Sequence, residues 1–458
     1  MTARYQHLPF GGLLAAGLAL RAAAWIGYRP ALAYIDTARY LGDDKHGLDP
    51  LGYSYLLLRP VLLAGGGLAG VTALQHLLGL AMGACLYALL LRYGAGRWLA
   101  ALAAAPVLLD AYQVQAEQMI MPDVLFEALV VAAMTLLLWR PEPGVTRIAC
   151  GAALLGLSAT VRQIGEVLIL PLLAYLLVLA NSKMRRAAWA AVALAAFALP
   201  VVGYMAVSAA VLGNGFRLSN MDDAYLYGRL AHAADCATLR VPADARPLCP
   251  PPATAAALGV DGLATNPASA VFHHPGTAAR RFDEAVLTQQ PMRVAGDVAH
   301  DAIKVFALTK NTAQGDTPVS RWQFQPRAAV PLAGALRWYQ LHGGFTPGPL
   351  LLLFLLSGTA GVFARNRHRA LALGCFLATG LAVAVLLGAD LYEFSWRYQL
   401  PGLVTLPAAG ALGATMIQCT LTRRSVRSPA ASSIPTTGSG SARTRSSDGT
   451  VPAEPTPS

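Results

Sequence analysis

The sequence predicts an all-α polytopic membrane protein with about ten transmembrane helices and a large extracytoplasmic insertion before the last three. Of its 458 residues, 55% are hydrophobic and only 13% are charged, whereas soluble domains carry roughly a quarter charged residues. The mean hydropathy is +0.48. Apolar runs of about 20 residues, the length that crosses a bilayer as a helix, recur along the chain.

The first apolar run, residues 8–28, is too long for the hydrophobic core of a signal peptide, so we expect a spanning helix. The stretch 54–66 is apolar but too short to span comfortably. The further spans are predicted near residues 68–91, 97–112, 119–139, 146–161, 164–181, 187–211, 347–364, 370–389 and 399–419.

The basic residues predict the orientation of these spans. If the N-terminus is cytoplasmic, each short cytoplasmic loop carries Lys or Arg, as the positive-inside rule requires. The loop 110–118, on the opposite side, has neither. We therefore expect a multi-pass protein of the plasma membrane with both termini in the cytoplasm.

This orientation divides the chain into four parts. They are an N-terminal transmembrane catalytic module (1–211) with a first extracytoplasmic loop at 29–54, an extracytoplasmic insertion (212–346), C-terminal transmembrane helices (347–422) and a cytoplasmic tail (423–458). The tail is rich in Ser, Thr, Pro and Gly, which predicts disorder.

The insertion carries two further signals. Residues 223–239 have apolar residues at helical spacing and could lie on the membrane surface. Cys236 and Cys249 share a polar, Pro-rich region that is predicted to face an oxidising compartment, which favours a disulfide between them.

Other classes of site are not indicated. The formal net charge is +11, but the basic residues lie in small groups, so we expect no nucleic-acid partner. His273 and His274 have no further ligands at zinc spacing, and no Gly-rich phosphate loop or nucleophile elbow is present. We expect no cofactor, and nothing indicates a divalent metal.

The unusual polar residues all fall on the predicted extracytoplasmic side. They are Asp36 after the first helix, Glu117 and Asp123 around the start of the fourth, Arg162 at the end of the fifth and Arg397 before the tenth. Ionisable residues at a membrane boundary are functional candidates, although each could also be a solvated loop residue or reach lipid phosphates. Together they fit sugar transfer, which needs a carboxylate to accept a proton and cations to hold a phosphate leaving group.

Five segments, in order, resemble the GT-C-type membrane glycosyltransferases that use polyprenyl-phosphate sugars, broadly the protein-O-mannosyltransferase and aminoarabinose-transferase superfamily. They are "YIDTARYL", "DPLGYSYLLL", "AEQMIMPDVLFEAL", "SATVRQIGEVLILPLLAYLL" and "RYQLPGLVTLPAAG". The resemblance covers roughly residues 8–212 and 347–420 and implies a GT-C-like fold.

The resemblance also implies roles for individual residues. Asp36 would be the catalytic base and Glu117 a second catalytic acid near the acceptor or the base. Arg162 and Arg397 would contact the donor phosphate, and Asp123 matches an acidic position of the family that could be structural. Tyr53 and Tyr398, which lie in the second and fifth segments, are further substrate-binding candidates.

The leading hypothesis is transfer of a sugar from a polyprenyl-phosphate donor, which is embedded in the lipid bilayer, to a cell-envelope acceptor. A transporter or lipid flippase is an alternative, but it would place its ionisable residues near the bilayer midplane. A non-catalytic scaffold that displays residues 212–346 is the other alternative, and it would tolerate loss of Asp36.

Overall fold

The computed structural model describes residues 7–34, 36–43, 48–274, 276–308, 330–364, 368–392 and 394–427. Within these ranges the chain is mostly helical, and its β-structure is limited to one isolated parallel bridge between Leu32 and Met119. The protein is an all-α membrane protein, in agreement with the prediction.

The helices follow one another with short connections. The N-terminal part contains α1 (Leu8–Gly27), α2 (Arg59–Leu63), α3 (Gly67–Arg92), α4 (Arg97–Leu109), α5 (Ala111–Gln118), α6 (Asp123–Leu138), α7 (Val145–Val161), α8 (Ile169–Leu179) and α9 (Lys183–Val207). The insertion contains α10 (Asp222–Ala233), α11 (Pro252–Thr265), α12 (Ala270–His273), α13 (Thr277–Gln289), α14 (Pro291–Lys304) and α15 (Val330–Leu341). The C-terminal part contains α16 (Gly348–Phe363), α17 (Arg369–Tyr392) and α18 (Gly402–Arg427).

Each predicted spanning segment contains a helix, but the number of spans is not confirmed. Among the described residues, five helices are long and apolar enough to cross a membrane: Leu8–Gly27, Gly67–Arg92, Lys183–Leu212, Arg369–Tyr392 and Gly402–Leu421. Helices α4 and α5, which bend by 47° at their junction, make a sixth if they count as one span. Helices α6, α7, α8 and α16 have only 16, 17, 11 and 16 residues, which is short for a hydrocarbon core of about 30 Å.

The stretch 110–118 is not the loop that the sequence predicts. Its residues Ala111–Gln118 form α5, and all eight are buried. The Asp110 side chain caps this helix by accepting a hydrogen bond from the Tyr112 backbone N–H, 2.9 Å away. Its other carboxylate oxygen accepts one from the backbone N–H of Thr346 at 2.6 Å. The polar residues of this stretch therefore find partners inside the protein, which offsets the cost of burying them.

Small residues let the helices pack closely. Helix α7 packs against α6 and α9, and α3 packs against α4 and α6. At the contact between α7 and α9, a Cβ on Gly156 would overlap the backbone of Phe197. Close approach at small residues is a common way for helices to associate in membranes, where the lipid tails are as apolar as the side chains.

The insertion has an apolar core of its own. Residues of α10, α11 and α13 form it, and Tyr227 and Phe282 are among the largest buried side chains. Ala224, Tyr227 and Leu230 of α10 face this core, so much of the apolar face of 223–239 packs against protein. A disulfide joins Cys236 and Cys249, whose Cα atoms are 5.7 Å apart.

The insertion also contacts the membrane helices. Helix α14 packs on α17, and Arg229 Nε of α10 donates to the carbonyl of Leu391 at 3.4 Å. Helix α15 packs on α1, where the Tyr28 hydroxyl donates to the carbonyl of Ala333 at 2.9 Å. These contacts place the insertion beside the loops that follow α1 and precede α18.

The chain divides into two units, residues 1–418 and 419–458. The described part of the second unit is the C-terminal end of α18, up to Arg427. Most of the tail predicted to be disordered (428–458) and residues 309–329 of the insertion lie outside the described residues.

Candidate functional site

A cavity of about 260 Å³ lies where the loop after α1, the start of α6, the end of α7, the turn before α18 and the insertion helices α10 and α11 meet. Its lining is charged and aromatic. Among the described residues, the charged side chains are four aspartates (Asp36, Asp49, Asp123 and Asp261) and three arginines (Arg39, Arg162 and Arg397). Concave sites with a few converging polar groups are the usual form of a small-molecule site.

Asp36 lies in this cavity, in the loop that follows α1. Its Oδ1 atom accepts a hydrogen bond from Arg39, and its Oδ2 atom accepts one from Arg397 Nη1 at 3.2 Å. The loop is fixed on the side of α5 because Leu32 pairs through its backbone with Gln118 and Ile120. Both oxygens of the predicted catalytic base are therefore bound by guanidinium groups.

Arg397 lies in the turn before α18 and is enclosed by aromatic rings. Its guanidinium carbon lies 4.5 Å from the ring centroid of Tyr34 and 4.8 Å from that of Tyr398, and its Nη2 donates to the Tyr398 hydroxyl at 3.0 Å. Burial lowers the pKa of Arg397, but Tyr398, Asp123 and Asp36 outweigh it and hold the pKa well above its ordinary value. Arg397 is thus a fixed, permanently charged donor.

Arg162 and Asp123 form a second ion pair in the cavity. Arg162 follows the last residue of α7 and Asp123 is the first residue of α6, so the pair joins two helix ends. The guanidinium carbon of Arg162 lies 4.8 Å from the ring centroid of Tyr398. Since Arg397 lies at the same distance from that ring, Tyr398 brings the two arginines to one place.

Gly52 allows the first loop to reach the end of α7. A Cβ at this position would lie 2.6 Å from the Thr160 carbonyl carbon and 2.7 Å from its Oγ1 atom. Thr160 is two residues before Arg162, so the close contact places Asp49 and Pro50 beside that arginine at the cavity wall. Only glycine fits such an approach of two backbones.

Arg39 and Asp49 belong to the cavity but were not singled out in the sequence. Arg39 Nε lies 2.6 Å from Asp49 Oδ2, and Arg39 also bonds Asp36. Burial lowers the pKa of Arg39, yet Asp49 and Asp36 outweigh it and raise the pKa. The spacing of Arg39 three residues after Asp36 was the available signal, since such a pair can meet within one helical turn.

The insertion supplies the remaining wall with Tyr225 of α10 and with Asp261 and Thr265 of α11. Burial, together with the nearby charge of Asp36, raises the pKa of the Asp261 carboxyl, although Arg397 and Arg39 oppose the shift. Nothing in the sequence distinguishes Asp261 from other acids of the insertion.

Two of the predicted site residues do not line the cavity. Glu117 is fully buried in α5, where it accepts a hydrogen bond from Arg21 Nη2 at 2.6 Å and lies 2.9 Å from His76 Nδ1. The Tyr53 hydroxyl donates to Gln75 Oε1 at 2.8 Å. The structure therefore brings together Asp36, Asp123, Arg162, Arg397 and Tyr398, and it places Glu117 and Tyr53 in the polar interior between α1, α3 and α5.

The chemistry available in the cavity follows from these groups. An anion that enters it meets the guanidinium groups of Arg162 and Arg397, and a hydroxyl that enters it meets the carboxylate of Asp36. Within the described ranges, no three His, Cys, Asp or Glu side chains are arranged to hold a metal ion.

Comparison with solved structures gave two matches of low similarity. The archaeal oligosaccharyltransferase AglB from Archaeoglobus fulgidus, solved in complex with an inhibitory peptide and a dolichol-phosphate, matches with 14% identity and a TM-score of 0.42 over 95% of this chain. The chain spans about half (53%) of the length of that protein's chain.

The second match is ArnT from Cupriavidus metallidurans, solved in the apo state, with 14% identity, a TM-score of 0.36, and coverage of 91% of this chain and 79% of that chain. Both proteins are GT-C glycosyltransferases. No protein-family model matches the chain, and neither does any curated protein.

Proposed function

We propose that this protein is a membrane glycosyltransferase that moves a sugar from a polyprenyl-phosphate donor to an acceptor outside the cytoplasm, such as a cell-envelope glycan, lipid or protein. One observation carries the proposal. The Asp36 carboxylate is hydrogen-bonded to Arg397 in a cavity where Arg162 faces the same tyrosine ring as Arg397. A proton acceptor and a pair of phosphate-binding cations therefore share one small space.

In the proposed reaction, Asp36 takes the proton of the acceptor hydroxyl. The acceptor oxygen forms a bond to the anomeric carbon of the donor sugar while the bond from that carbon to the phosphate oxygen breaks. Polyprenyl phosphate leaves with one more negative charge than it had as the donor ester. Arg162 and Arg397 balance that charge, since guanidinium groups bind phosphate through two parallel hydrogen bonds.

The contact between Asp36 and Arg397 also implies that the donor binds before Asp36 accepts the proton. Before the donor binds, both oxygens of Asp36 are engaged by arginines. A donor phosphate competes for Arg397, and its arrival weakens that hydrogen bond and frees one carboxylate oxygen to accept a proton. The base thus becomes available when the leaving group is in place.

The proposed topology follows the distribution of Lys and Arg, with both termini in the cytoplasm and the cavity on the outer face of the plasma membrane. A lipid-linked donor presents its phosphate at headgroup level, where a cavity at the ends of α6 and α7 could take it. The short helices α6, α7, α8 and α16 then complete the ten spans, tilted or set in a locally thinned bilayer.

The proposal can be tested by mass spectrometry of cell-envelope glycans from cells with and without the gene. We expect one sugar substituent to be lost on deletion and restored by the wild-type protein. Asp36→Asn, expressed at the same level in membranes, should not restore it. Glu284→Gln, which removes an exposed charge from the insertion, should restore it. An unchanged envelope after deletion, or full restoration by Asp36→Asn, would contradict the proposal.

A further inference from the structure

The insertion forms one wall of the cavity, and it does so through two helices that approach closely. Gly228 of α10 packs on α11, where a Cβ would lie 2.6 Å from the carbonyl oxygen of Val260 and 2.9 Å from the Cβ of Ala264. Tyr225 lies one turn before Gly228, and Asp261 and Thr265 are four residues apart on α11. Residues four apart share one face of a helix, and all three residues line the cavity.

Three of the four aspartates in the described lining of the cavity bond an arginine, whereas Asp261 lies near Arg397 and Arg39 without bonding either. Asp49 bonds Arg39, Asp123 bonds Arg162, and Asp36 bonds both Arg39 and Arg397. Asp261 has no hydrogen bond or ion pair through its carboxyl with any of the residues that the structure describes. Asp261 is half-buried and lines the cavity, so its carboxyl can accept hydrogen bonds from a group that enters it.

Aromatic rings lie beside this carboxyl. The rings of Tyr225 and Tyr392 meet edge to face with their centroids 5.6 Å apart, and both residues line the cavity. The face of an aromatic ring carries partial negative charge, so it attracts the polarised C–H groups of a sugar ring. A carboxylate that accepts from hydroxyl groups, beside a ring that packs on C–H groups, suits a saccharide.

We propose that α10 and α11 form a saccharide subsite, in which Asp261 accepts hydrogen bonds from ring hydroxyls and Tyr225 packs against the same ring. The inference rests on the proposed function and adds to it a specificity determinant that the insertion supplies. The ring belongs either to the donor or to a saccharide acceptor, since both place hydroxyls beside Asp36 during transfer.

Binding measurements on the full-length protein in nanodiscs distinguish a donor sugar from an acceptor saccharide. The probes are bare polyprenyl phosphate, a set of polyprenyl-phosphate monosaccharides, and free methyl glycosides of mannose, galactose and arabinose followed by saturation-transfer NMR. The variants are Asp261→Asn and Asp261→Ala, with Glu284→Gln as the matched loss of an exposed carboxylate in the same insertion. Binding of bare polyprenyl phosphate reports whether each variant keeps a folded phosphate site.

We expect both Asp261 variants to bind a sugar-bearing ligand about 10–100-fold more weakly, which is the effect of losing a hydrogen bond to a charged group. Their affinity for bare polyprenyl phosphate should stay at the wild-type level. A loss confined to the sugar-linked lipid places the donor sugar in the subsite, and a loss confined to the methyl glycosides places an acceptor saccharide there.

Wild-type affinity of both Asp261 variants for every sugar-bearing probe would overturn the inference. A wild-type protein that binds no polyprenyl phosphate, with or without sugar, would instead refute the proposed function. In that case the methyl glycosides still decide whether the saccharide subsite exists.

Discussion

At the scale of single residues, the contacts of Arg162 and Arg397 depend on the planar shape of guanidinium. Each lies over the Tyr398 ring, and each also bonds a carboxylate. Lysine carries the same charge but offers neither the planar face nor two parallel donors. Charge alone therefore does not reproduce these contacts.

We accordingly expect Arg162→Lys to raise the KM for a polyprenyl-phosphate donor by about tenfold, the effect of losing one charge-assisted hydrogen bond. Arg280→Lys, an exposed substitution of the same kind in the insertion, should leave the KM unchanged. Steady-state kinetics with a labelled donor make the comparison. A wild-type KM in Arg162→Lys would show that the position needs only a positive charge.

Glu117 illustrates what sequence could not tell at this scale. Glu117 falls in the predicted loop 110–118, and the resemblance implied a catalytic acid there, but the side chain points into the protein and pairs with Arg21 and His76. A Cβ on Gly79 of α3 would overlap the Glu117 carboxylate, so α3 is shaped to hold it. We therefore interpret Glu117 as a positioning residue that fixes α5 against α1 and α3.

This interpretation makes Glu117→Gln a stability variant. Removing one partner leaves the buried Arg21 charge uncompensated, which typically costs about 3–5 kcal/mol. We expect a lower unfolding temperature in detergent for Glu117→Gln and partial recovery in the double variant Arg21→Met/Glu117→Gln. If Glu117→Gln unfolds like the wild type while its transfer activity is lost, the residue has a chemical role instead.

At the scale of elements, the insertion contains an acid that should make its stability depend on pH. Asp283 of α13 is buried beside Phe282, and burial, together with the charge of Asp223, raises its pKa from 3.8 to about 7. Between pH 3.8 and about pH 7, the folded insertion therefore binds more protons than the unfolded chain. The contribution of Asp283 to stability is fully present below the unfolded pKa and is lost as the pH rises through the folded pKa.

Asp283→Asn keeps the side chain neutral at every pH and should remove this dependence. We expect the variant to melt at a higher temperature than the wild type at pH 8, with the difference shrinking as the pH falls towards 4. Thermal unfolding followed by intrinsic fluorescence across this range measures it, with Glu284→Gln on the same helix as the exposed control. A difference in unfolding temperature between variant and wild type that is equal at all pH values would contradict the raised pKa.

The helices also show what the hydrophobic pattern of the sequence can predict and what it cannot. Long apolar runs predicted α1, α3, α9, α17 and α18, because burial in lipid imposes helix on such runs. The same reasoning was wrong for α5. Its polar sequence resembles a loop, and the partners that satisfy it come from distant parts of the chain, such as Gln340, whose Nε2 donates to Gln115 Oε1 at 2.7 Å.

At the scale of the whole molecule, the sequence predicts how deep in the membrane a residue lies, but it does not predict which face of a helix the residue occupies. Asp36, Asp123, Arg162 and Arg397 come from separate segments, and their shared depth was enough to predict that they meet. Glu117 lies close to Asp123 in the chain yet faces away from the cavity. Asp261 was missed because the insertion has no repeating pattern that fixes its position over the membrane helices.

The central claim is that this cavity transfers sugar with Asp36 as the base. The most direct test reconstitutes the protein in liposomes with radiolabelled polyprenyl-phosphate monosaccharides and an envelope extract as acceptor. The account predicts transfer by the wild type and by Glu284→Gln, and a rate about 10²–10⁴-fold lower for Asp36→Asn, the usual cost of losing a general base. Transfer at the wild-type rate by folded Asp36→Asn would contradict it.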